Sequence, residues 1–350
     1  MTDLRATFRD IIHGTSDVPY LVGAWQHQVG HEYGAEDFAD AYIDFVRRWN
    51  WEWVKINPRA IYYAEAWGSH YDKDDYAGYV IPKKIDDIVT STDDVAKIRE
   101  LDPKENPYFA EELAAAARIR AAFTDRAVIQ TIFSPLSVLL ELADIPLYPG
   151  DAYATPSATV EQVVYARPDL AHAALGNIAR TLAAYATALV TPAEQGGAGL
   201  DGVFLALTGT VSENYFDAGQ YAEFSEPYDR IVIDAVRKAN PDAAVVLHTC
   251  RADSHPEWFD RLGVDAIHWD QYLPGNPKAD APIKAVPVAG ANVDLFVPGA
   301  DPAQVTRELK ETIALREGRP FLLAPSCTVT TPANEASLQA LSDARVATAV

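Results

Sequence analysis

The amino-acid sequence predicts an α/β protein folded as a single (β/α)8 TIM barrel, and two observations support that prediction. Short apolar segments alternate along the chain with longer segments of helical periodicity, which is typical of buried parallel strands joined by helices. There are eight such apolar segments, and no linker-like composition divides them into two groups. Eight parallel strands close into a barrel, so we expect residues 1–350 to form one domain.

The eight predicted strands are short runs rich in aliphatic and aromatic side chains. An open, doubly wound sheet is the alternative architecture, but no glycine-rich phosphate-binding loop follows the first strand, which weakens it. The predicted strands cover residues 19–25, 51–57, 127–133, 202–208, 244–250, 264–270, 285–291 and 320–326.

Four helices are predicted from amphipathic periodicity, at residues 35–49, from about 168 to 194, at 220–239 and at 302–318. Two dipeptides resemble helix starts, because a capping residue precedes proline: Asp301 with Pro302, and Thr331 with Pro332. The segment 143–165 is rich in Pro, Gly and Ala. We expect it to cross the mouth of the barrel and not to separate two domains.

Charge and cysteine content argue against several classes of protein. The chain has 50 acidic and 29 basic residues, a net charge of −21, which repels nucleic acid and anionic membrane surfaces. Two distant cysteines do not form a disulfide framework, and the N-terminal segment lacks the apolar core of a signal peptide. No apolar run reaches the roughly 18 residues of a membrane span. We therefore expect a cytoplasmic protein that binds neither nucleic acid nor membrane.

The most informative motif is the His-x-Cys of "LHTC", at the end of the fifth predicted strand. His248 and Cys250 are alternate residues that point the same way on a strand, and Cys327 follows the eighth predicted strand. Both strand ends lie on the face of a barrel that carries active sites. Two thiolates and one imidazole suit zinc and leave a fourth position open, as in catalytic sites. From spacing alone, two buried apolar cysteines and a backbone-bonded histidine are an equal alternative.

Longer segments around these residues carry a family likeness. They are "WEWVKINPRAIYYAEAWG", "FDAGQYAEFSEPYDRIV", "LHTC" followed by "GVDAIHWD", and "LLAPSCTVTTPANEASLQAL". Together they resemble the uroporphyrinogen decarboxylase superfamily over nearly the whole chain. The likeness is greatest to its zinc-dependent branch, the corrinoid:thiol methyltransferases such as methylcobamide:coenzyme M methyltransferase. The resemblance implies a (β/α)8 barrel that binds zinc through His248, Cys250 and Cys327.

The resemblance also implies a reaction. A small-molecule thiol would bind at the open position of the zinc, lose its proton and attack the methyl group of methylcobalamin. No corrinoid domain is recognisable in the chain, so the methyl-corrinoid would be supplied in trans, either free or on a partner corrinoid protein. Superfamily members are often dimers, so the resemblance is compatible with a homodimer.

The decarboxylase branch fits the sequence less well. Its motif after the first strand has two arginines that bind substrate carboxylates, whereas the matching "HQVGH" has His27 and His31 at those positions. The branch's catalytic aspartate falls within "VKINPR", which contains none. Because a polycarboxylate substrate needs fixed cations, a cofactor-free decarboxylase is the weaker prediction. A non-catalytic zinc- or corrinoid-binding barrel and a zinc enzyme that activates water are further alternatives.

Other candidate residues lie near predicted strand ends. His27 and His31 are candidate catalytic groups for proton transfer, anion binding or corrinoid contact, and Trp25, Gln28 and Asn57 are candidate substrate-binding residues. Ordinary lining of a pocket is the main alternative for the two histidines, and an extra metal ligand at one of them is the weaker one.

A second group of candidates comes from isolated polar residues. Asp270 is expected either to orient His248 or to cap a turn, and Glu65 to be a pocket carboxylate or a helix-start residue. Ser212 and Glu213 are candidate substrate contacts, and Lys55 is expected to pair with a buried carboxylate.

Overall fold

The structure, a computed structural model, describes residues 3–76, 80–148, 150 and 155–346. Within these residues eight parallel strands form one sheet, and two more form a separate antiparallel hairpin. The strands are Tyr20–Val22 (β1), Val54–Ile56 (β2), His70–Asp72 (β3), Lys83–Asp86 (β4), Val128–Phe133 (β5), Gly202–Ala206 (β6), Ala244–His248 (β7), Ala266–His268 (β8), Val286–Ala289 (β9) and Phe321–Leu323 (β10).

The sheet confirms the predicted (β/α)8 barrel. Its strand order is β1-β10-β9-β8-β7-β6-β5-β2, and each of these eight strands lies inside one of the eight predicted segments. The two ends of the sheet are joined beside β1 and β2, where the Glu52 amide donates to the Val22 carbonyl at 2.8 Å. The β3–β4 hairpin was not predicted from sequence.

Helices connect the strands on the outside of the barrel. They are Leu4–Ile12 (α1), Ala35–Trp49 (α2), Tyr62–Trp67 (α3), Pro107–Ala122 (α4), Pro135–Glu141 (α5), Pro168–Val190 (α6), Ala218–Phe224 (α7), Glu226–Ala239 (α8), Pro302–Leu315 (α9) and Glu335–Ser342 (α10). The helix predicted at 35–49 is confirmed in both bounds. The predicted start of α9 is also confirmed, since the Asp301 side chain accepts from the Ala303 amide.

Two helix predictions are wrong in detail. The predicted helix 220–239 is divided at Ser225 into α7 and α8. The physical reason is Pro227, which lacks an amide hydrogen and clashes with the preceding turn unless it lies at the start of a helix. Thr331 and Pro332 do not begin a helix. The last helix begins at Glu335, because the Asn334 side chain accepts from the two amides that need a cap.

Side chains fill the barrel interior at the N-terminal ends of the strands, so any cavity lies at the C-terminal ends. Helix α1 closes the N-terminal end, and its Phe8 belongs to the same apolar cluster as Trp25, Trp53 and Phe204. Trp53 packs so closely on β1 that a Cβ atom at position 23 would lie 2.7 Å from its ring, so only Gly23 fits there. The C-terminal ends of the strands therefore carry the accessible space.

Two longer segments complete the description. Helix α6 is long and apolar enough to span a membrane, but 72% of the qualifying window is buried inside the protein, as in a core helix. The predicted excursion 143–165 lies partly outside the described residues. Its described Leu147 and Tyr148 line a cavity at the C-terminal end of the barrel, which agrees with a segment that crosses the barrel mouth.

Candidate metal centre and adjoining cavity

The structure brings His248, Cys250 and Cys327 together at the C-terminal end of the barrel. His248 is the last residue of β7, Cys250 follows it by two, and Cys327 lies just beyond the end of β10. One possible ligand atom from each residue lies within 4.8 Å of the others. The two sulfur atoms are 3.7 Å apart, and both cysteines are free thiols.

This donor set fits zinc in both chemistry and spacing. Two sulfurs bound at about 2.3 Å to a tetrahedral zinc lie roughly 3.8 Å apart, close to the observed distance. The Nδ1 atom of His248 faces the main-chain oxygen of His268 at 3.2 Å, which leaves the other ring nitrogen for a metal. Among the described residues, no fourth His, Cys, Asp or Glu joins the cluster, so the set resembles open catalytic sites.

The two thiols differ in their tendency to lose a proton. Hydrogen bonds from Cys250 and from His248 hold the pKa of Cys327 well below its usual value. The bond to Cys327, together with burial, raises the pKa of Cys250 well above its usual value. A thiolate at one of the two positions is therefore favoured, and thiolate is the form that binds metal.

Main-chain contacts hold Cys250 in place. Its amide donates to the Thr208 carbonyl at 3.0 Å, and the Ser212 hydroxyl donates to the Cys250 carbonyl. Ser212 was a candidate substrate contact, but the structure buries it completely beneath the Cys250 loop. Glu213, the other candidate in that segment, is exposed and lies outside the described lining of the main cavity.

A cavity of about 350 Å³ opens beside the metal ligands. His248 and Cys327 form part of its wall, and the residues after β2 form the opposite part. Five aromatic residues line the remaining wall together with aliphatic and threonine side chains, so the cavity offers flat apolar surfaces with a few polar groups, as small-molecule sites do. The aromatic residues are Trp25, Tyr63, Phe133, Tyr148 and Phe204.

Alternate residues Lys55, Asn57 and Arg59 line the cavity from the β2 side. Lys55 was expected to pair with a carboxylate. Instead its ammonium donates to the Asn57 side-chain oxygen at 2.6 Å and lies over the rings of Trp25 and Phe204. Burial lowers the pKa of Lys55 well below its usual value. Asn57 Nδ2 and Arg59 Nη2 are buried donors with no hydrogen-bond partner among the described residues.

Arg59 is held by a buried network of carboxylates. Its Nε atom donates to Glu65 at 2.7 Å, and its Nη1 atom donates to Glu111 at 2.7 Å and to Glu112 at 3.0 Å. Burial raises the pKa of Glu112 to about 8, although Arg59 acts against that rise. Glu65 was a candidate pocket carboxylate. It is buried behind Arg59 and hydrogen-bonded to Tyr33, so it acts on the cavity through Arg59.

The two histidines of the "HQVGH" segment lie in different surroundings. His27 lines the cavity, and its Nδ1 atom is 2.9 Å from Glu32, which is almost fully buried. The Tyr76 hydroxyl donates to the other Glu32 oxygen at 3.2 Å. His31 is exposed, contacts Asp37 and lies outside the described lining of the cavity.

Three other candidates have defined positions. Trp25 lines the cavity and donates from its indole nitrogen to Thr328 at 3.1 Å. Gln28 is buried but is not part of the described lining. Asp270 was expected either to orient His248 or to cap a turn, and its carboxylate does not contact His248. Its carboxylate accepts from the Ser326 hydroxyl and the Tyr272 amide, both at 2.9 Å, so the alternative of a turn cap is the observed one.

The sequence motifs did not identify Arg59, Glu32 or His268 as candidate functional residues. The alternation of Lys55, Asn57 and Arg59 could have identified Arg59, because alternate residues of an extended segment share a face. Glu32 and His268 give no such signal. His268 bonds Pro325, which only the closed barrel brings near. Glu32 bonds His27, five residues earlier, and the more distant Tyr76.

Comparisons with known proteins agree with the barrel and the sequence motifs. The family model described as uroporphyrinogen decarboxylase (URO-D) matches residues 32–347. Uroporphyrinogen decarboxylases of Synechococcus sp. (strain CC9902) and Prochlorococcus marinus (strain NATL2A) are each 23% identical over 240 residues. Those matches cover 69% and 68% of this chain and span 63% of each relative's length.

A solved structure is similar over almost the full length. A methyltransferase from Methanosarcina mazei superimposes with a TM-score of 0.71 and 16% identity, covering 97% of both chains. At that identity the likeness establishes the fold alone. The family model, in contrast, matches most of the chain, and on that basis the protein belongs to the uroporphyrinogen decarboxylase family.

Proposed function

We propose that this protein is a zinc-dependent methyltransferase that moves a methyl group from a methyl-corrinoid to a small-molecule thiol. The observation that carries the proposal is the cluster of His248, Cys250 and Cys327, of which His248 and Cys327 border a cavity. A purely structural zinc site is expected to have four protein ligands. The structural likeness to a methyltransferase is in keeping with the proposal.

The residues around the cluster suit a reaction on a thiol. Zinc bound there would lower the pKa of the substrate thiol and hold its sulfur as a nucleophile. His27 lines the same cavity and bonds Glu32. We propose that it accepts the thiol proton while the carboxylate stabilises the charged imidazole.

The residues on the β2 side of the cavity are proposed to orient the substrate. A buried donor without a partner costs about 1–3 kcal/mol, and Asn57 Nδ2 and Arg59 Nη2 are two such donors. Both residues line this part of the cavity, and we propose that a polar group of the substrate binds beside them. We propose that the methyl-corrinoid comes in trans, either free or on a partner corrinoid protein.

The test combines metal content with methyl transfer. The purified protein should contain about one zinc per chain, and it should demethylate methylcobalamin in the presence of a suitable thiol, coenzyme M and homocysteine being tried first. Loss of the methylcobalamin absorbance reports the transfer. Cys327→Ser should lose both zinc and activity. A zinc-loaded protein that is inactive with every thiol tried would count against methyl transfer, and a protein without zinc would remove the proposal.

Decarboxylation is a second candidate, favoured by the sequence match to uroporphyrinogen decarboxylases. Histidines stand at positions 27 and 31, where the resemblance places arginines that bind carboxylates. Incubation with uroporphyrinogen separates the two functions. We expect no release of carbon dioxide, and a decarboxylation that persists in Cys327→Ser would favour this alternative.

A further inference from the structure

The metal ligands come from strands that are not neighbours. His248 ends β7 and Cys327 follows β10, while β8 and β9 lie between these strands in the sheet. The hydrogen-bond ladder therefore does not set the distance between the two ligands directly. Some other contact must hold the Cys327 segment close to His248 if the three ligand atoms are to converge.

His268, on β8, contacts both His248 and the segment that carries Cys327. Its main-chain oxygen accepts from the Thr249 amide at 3.1 Å and faces the His248 Nδ1 atom at 3.2 Å. Its own ring, which is fully buried, stacks on the His248 ring with centroids 4.7 Å apart. The same ring reaches across the barrel, and its Nε2 atom donates to the Pro325 carbonyl at 3.0 Å. Pro325 lies two residues before Cys327.

Asp270 makes a second connection from the same strand end. Its carboxylate accepts from the Ser326 hydroxyl at 2.9 Å, one residue before Cys327. Its main-chain oxygen accepts at 2.7 Å from the Asn276 amide group, which also donates to the Arg251 carbonyl at 2.8 Å. Asp270 is thus linked to the residue before Cys327 and to the residue after Cys250.

We propose that His268 and Asp270 are positioning residues that set the separation of Cys327 from His248 and Cys250. This inference rests on the zinc centre of the proposed function. The paired contacts would preorganise a three-ligand site that lacks the geometric restraint of a fourth protein ligand. Partners of metal ligands commonly contribute about 10- to 100-fold to metal affinity, which makes the effect measurable without an activity assay.

The experiment measures zinc affinity by competition with a chromophoric chelator, on full-length protein whose fold is checked by circular dichroism. His268→Phe keeps an aromatic ring but removes the donor to Pro325, and we expect about 10- to 100-fold weaker zinc binding. His268→Gln retains a donor and should keep most of the affinity. Ser326→Ala is a milder change that tests the Asp270 contact even if His268→Phe does not fold.

Gln271→Leu is the matched control. Gln271 is as buried as Asp270 and adjacent to it, but its side chain bonds Gly290, Thr312 and Ala279, not the ligand segments. This variant should lose stability while its zinc affinity is retained. Cobalt(II) substitution gives a second readout, because weaker thiolate-to-cobalt absorption in His268→Phe would report displacement of a sulfur.

Three results would overturn the inference, and they are distinguishable. If wild type binds zinc and both His268→Phe and Ser326→Ala bind it equally well, the positioning role fails and the proposed function stands. If wild type binds no zinc, the zinc centre and the positioning role fail together. Equal losses in Gln271→Leu and His268→Phe would also overturn it, because they would show a general effect of core disruption.

Discussion

The two sides of the cavity are built from different kinds of contact. On the β7–β10 side, the metal ligands are held by main-chain groups, such as the Thr208 carbonyl that receives the Cys250 amide. On the β2 side, a buried arginine is surrounded by carboxylates, and His27 is paired with Glu32. The first arrangement fixes distances between soft ligands. The second places charge and protons beside a bound molecule.

This difference separates metal binding from substrate chemistry. The ligands on one side need a fixed geometry, and hydrogen bonds from a rigid barrel provide it. The groups on the other side need adjustable charge, which carboxylates provide because burial can raise their pKa values. Changes on the β7–β10 side should therefore alter zinc affinity, and changes on the β2 side should alter stability or rate with zinc retained.

The largest effect is expected from removing a metal ligand. Cys250→Ser should weaken zinc binding by roughly 1,000-fold, since complete four-ligand structural sites bind zinc with about 10–16 kcal/mol. Arg59→Met, on the opposite side, should leave zinc affinity near that of wild type. Chelator competition on folded protein measures both. A comparable loss in Arg59→Met would show that the two sides are not separable.

The next effect concerns stability on the β2 side. Arg59→Met leaves buried carboxylates without their counter-charge, which costs about 3–5 kcal/mol when one partner of a buried pair is removed. Urea unfolding measures the loss. Arg316→Met is the matched control, because Arg316 is also buried but donates to the main-chain oxygens of Ala279 and Pro320. If the two variants lose equal stability, the carboxylate network has no special role.

The two histidines of "HQVGH" test the proposed proton acceptor. His27→Gln should reduce the rate of methyl transfer by roughly 100-fold, within the usual range for a general base, and should retain zinc. His31→Gln should have a rate near that of wild type, because His31 is exposed and paired with Asp37. Steady-state rates of methyl transfer by wild type and both variants, measured over a range of pH, test this prediction. Equal rates in the two variants would remove His27 from the mechanism.

The last and most gradual effect is a pH dependence of stability. Glu112 keeps its proton in the folded protein up to about pH 8, whereas its ordinary pKa is 4.5. The unfolded chain therefore releases the proton first as pH rises. Stability from this group is full below about pH 4.5 and declines up to about pH 8, by at most about 1.4 kcal/mol per pH unit.

Glu112→Gln should flatten that decline, and urea unfolding at several pH values measures it. Asp229 offers a comparison away from the cavity, because burial raises its pKa to about 7. Asp229→Asn should flatten the decline only below about pH 7. A Glu112→Gln protein with the same slope as wild type between pH 7 and 8 would show that Glu112 is ionised in the folded state.

The sequence was informative where function depends on neighbours along the chain. All eight barrel strands lie within the predicted segments, because apolar runs bounded by turns are a local property. The proximity of His248 to Cys250 follows from alternation on a strand, and that of Cys327 follows from the shared edge of a parallel barrel. The prediction for Asp270 was less successful, because the partner of a turn carboxylate depends on which hydroxyl the fold brings near.

By itself, the sequence determined the barrel and the three candidate metal ligands, since periodicity and strand-end position are local features. Only the tertiary structure decided which of His27 and His31 lines the cavity. It decided that Arg59 forms ion pairs with three glutamates, Glu65, Glu111 and Glu112. It also decided that His268 reaches Pro325 across 57 positions of the chain. The physical reason is that buried charges and imidazoles take partners by distance in space, which no spacing along the chain encodes.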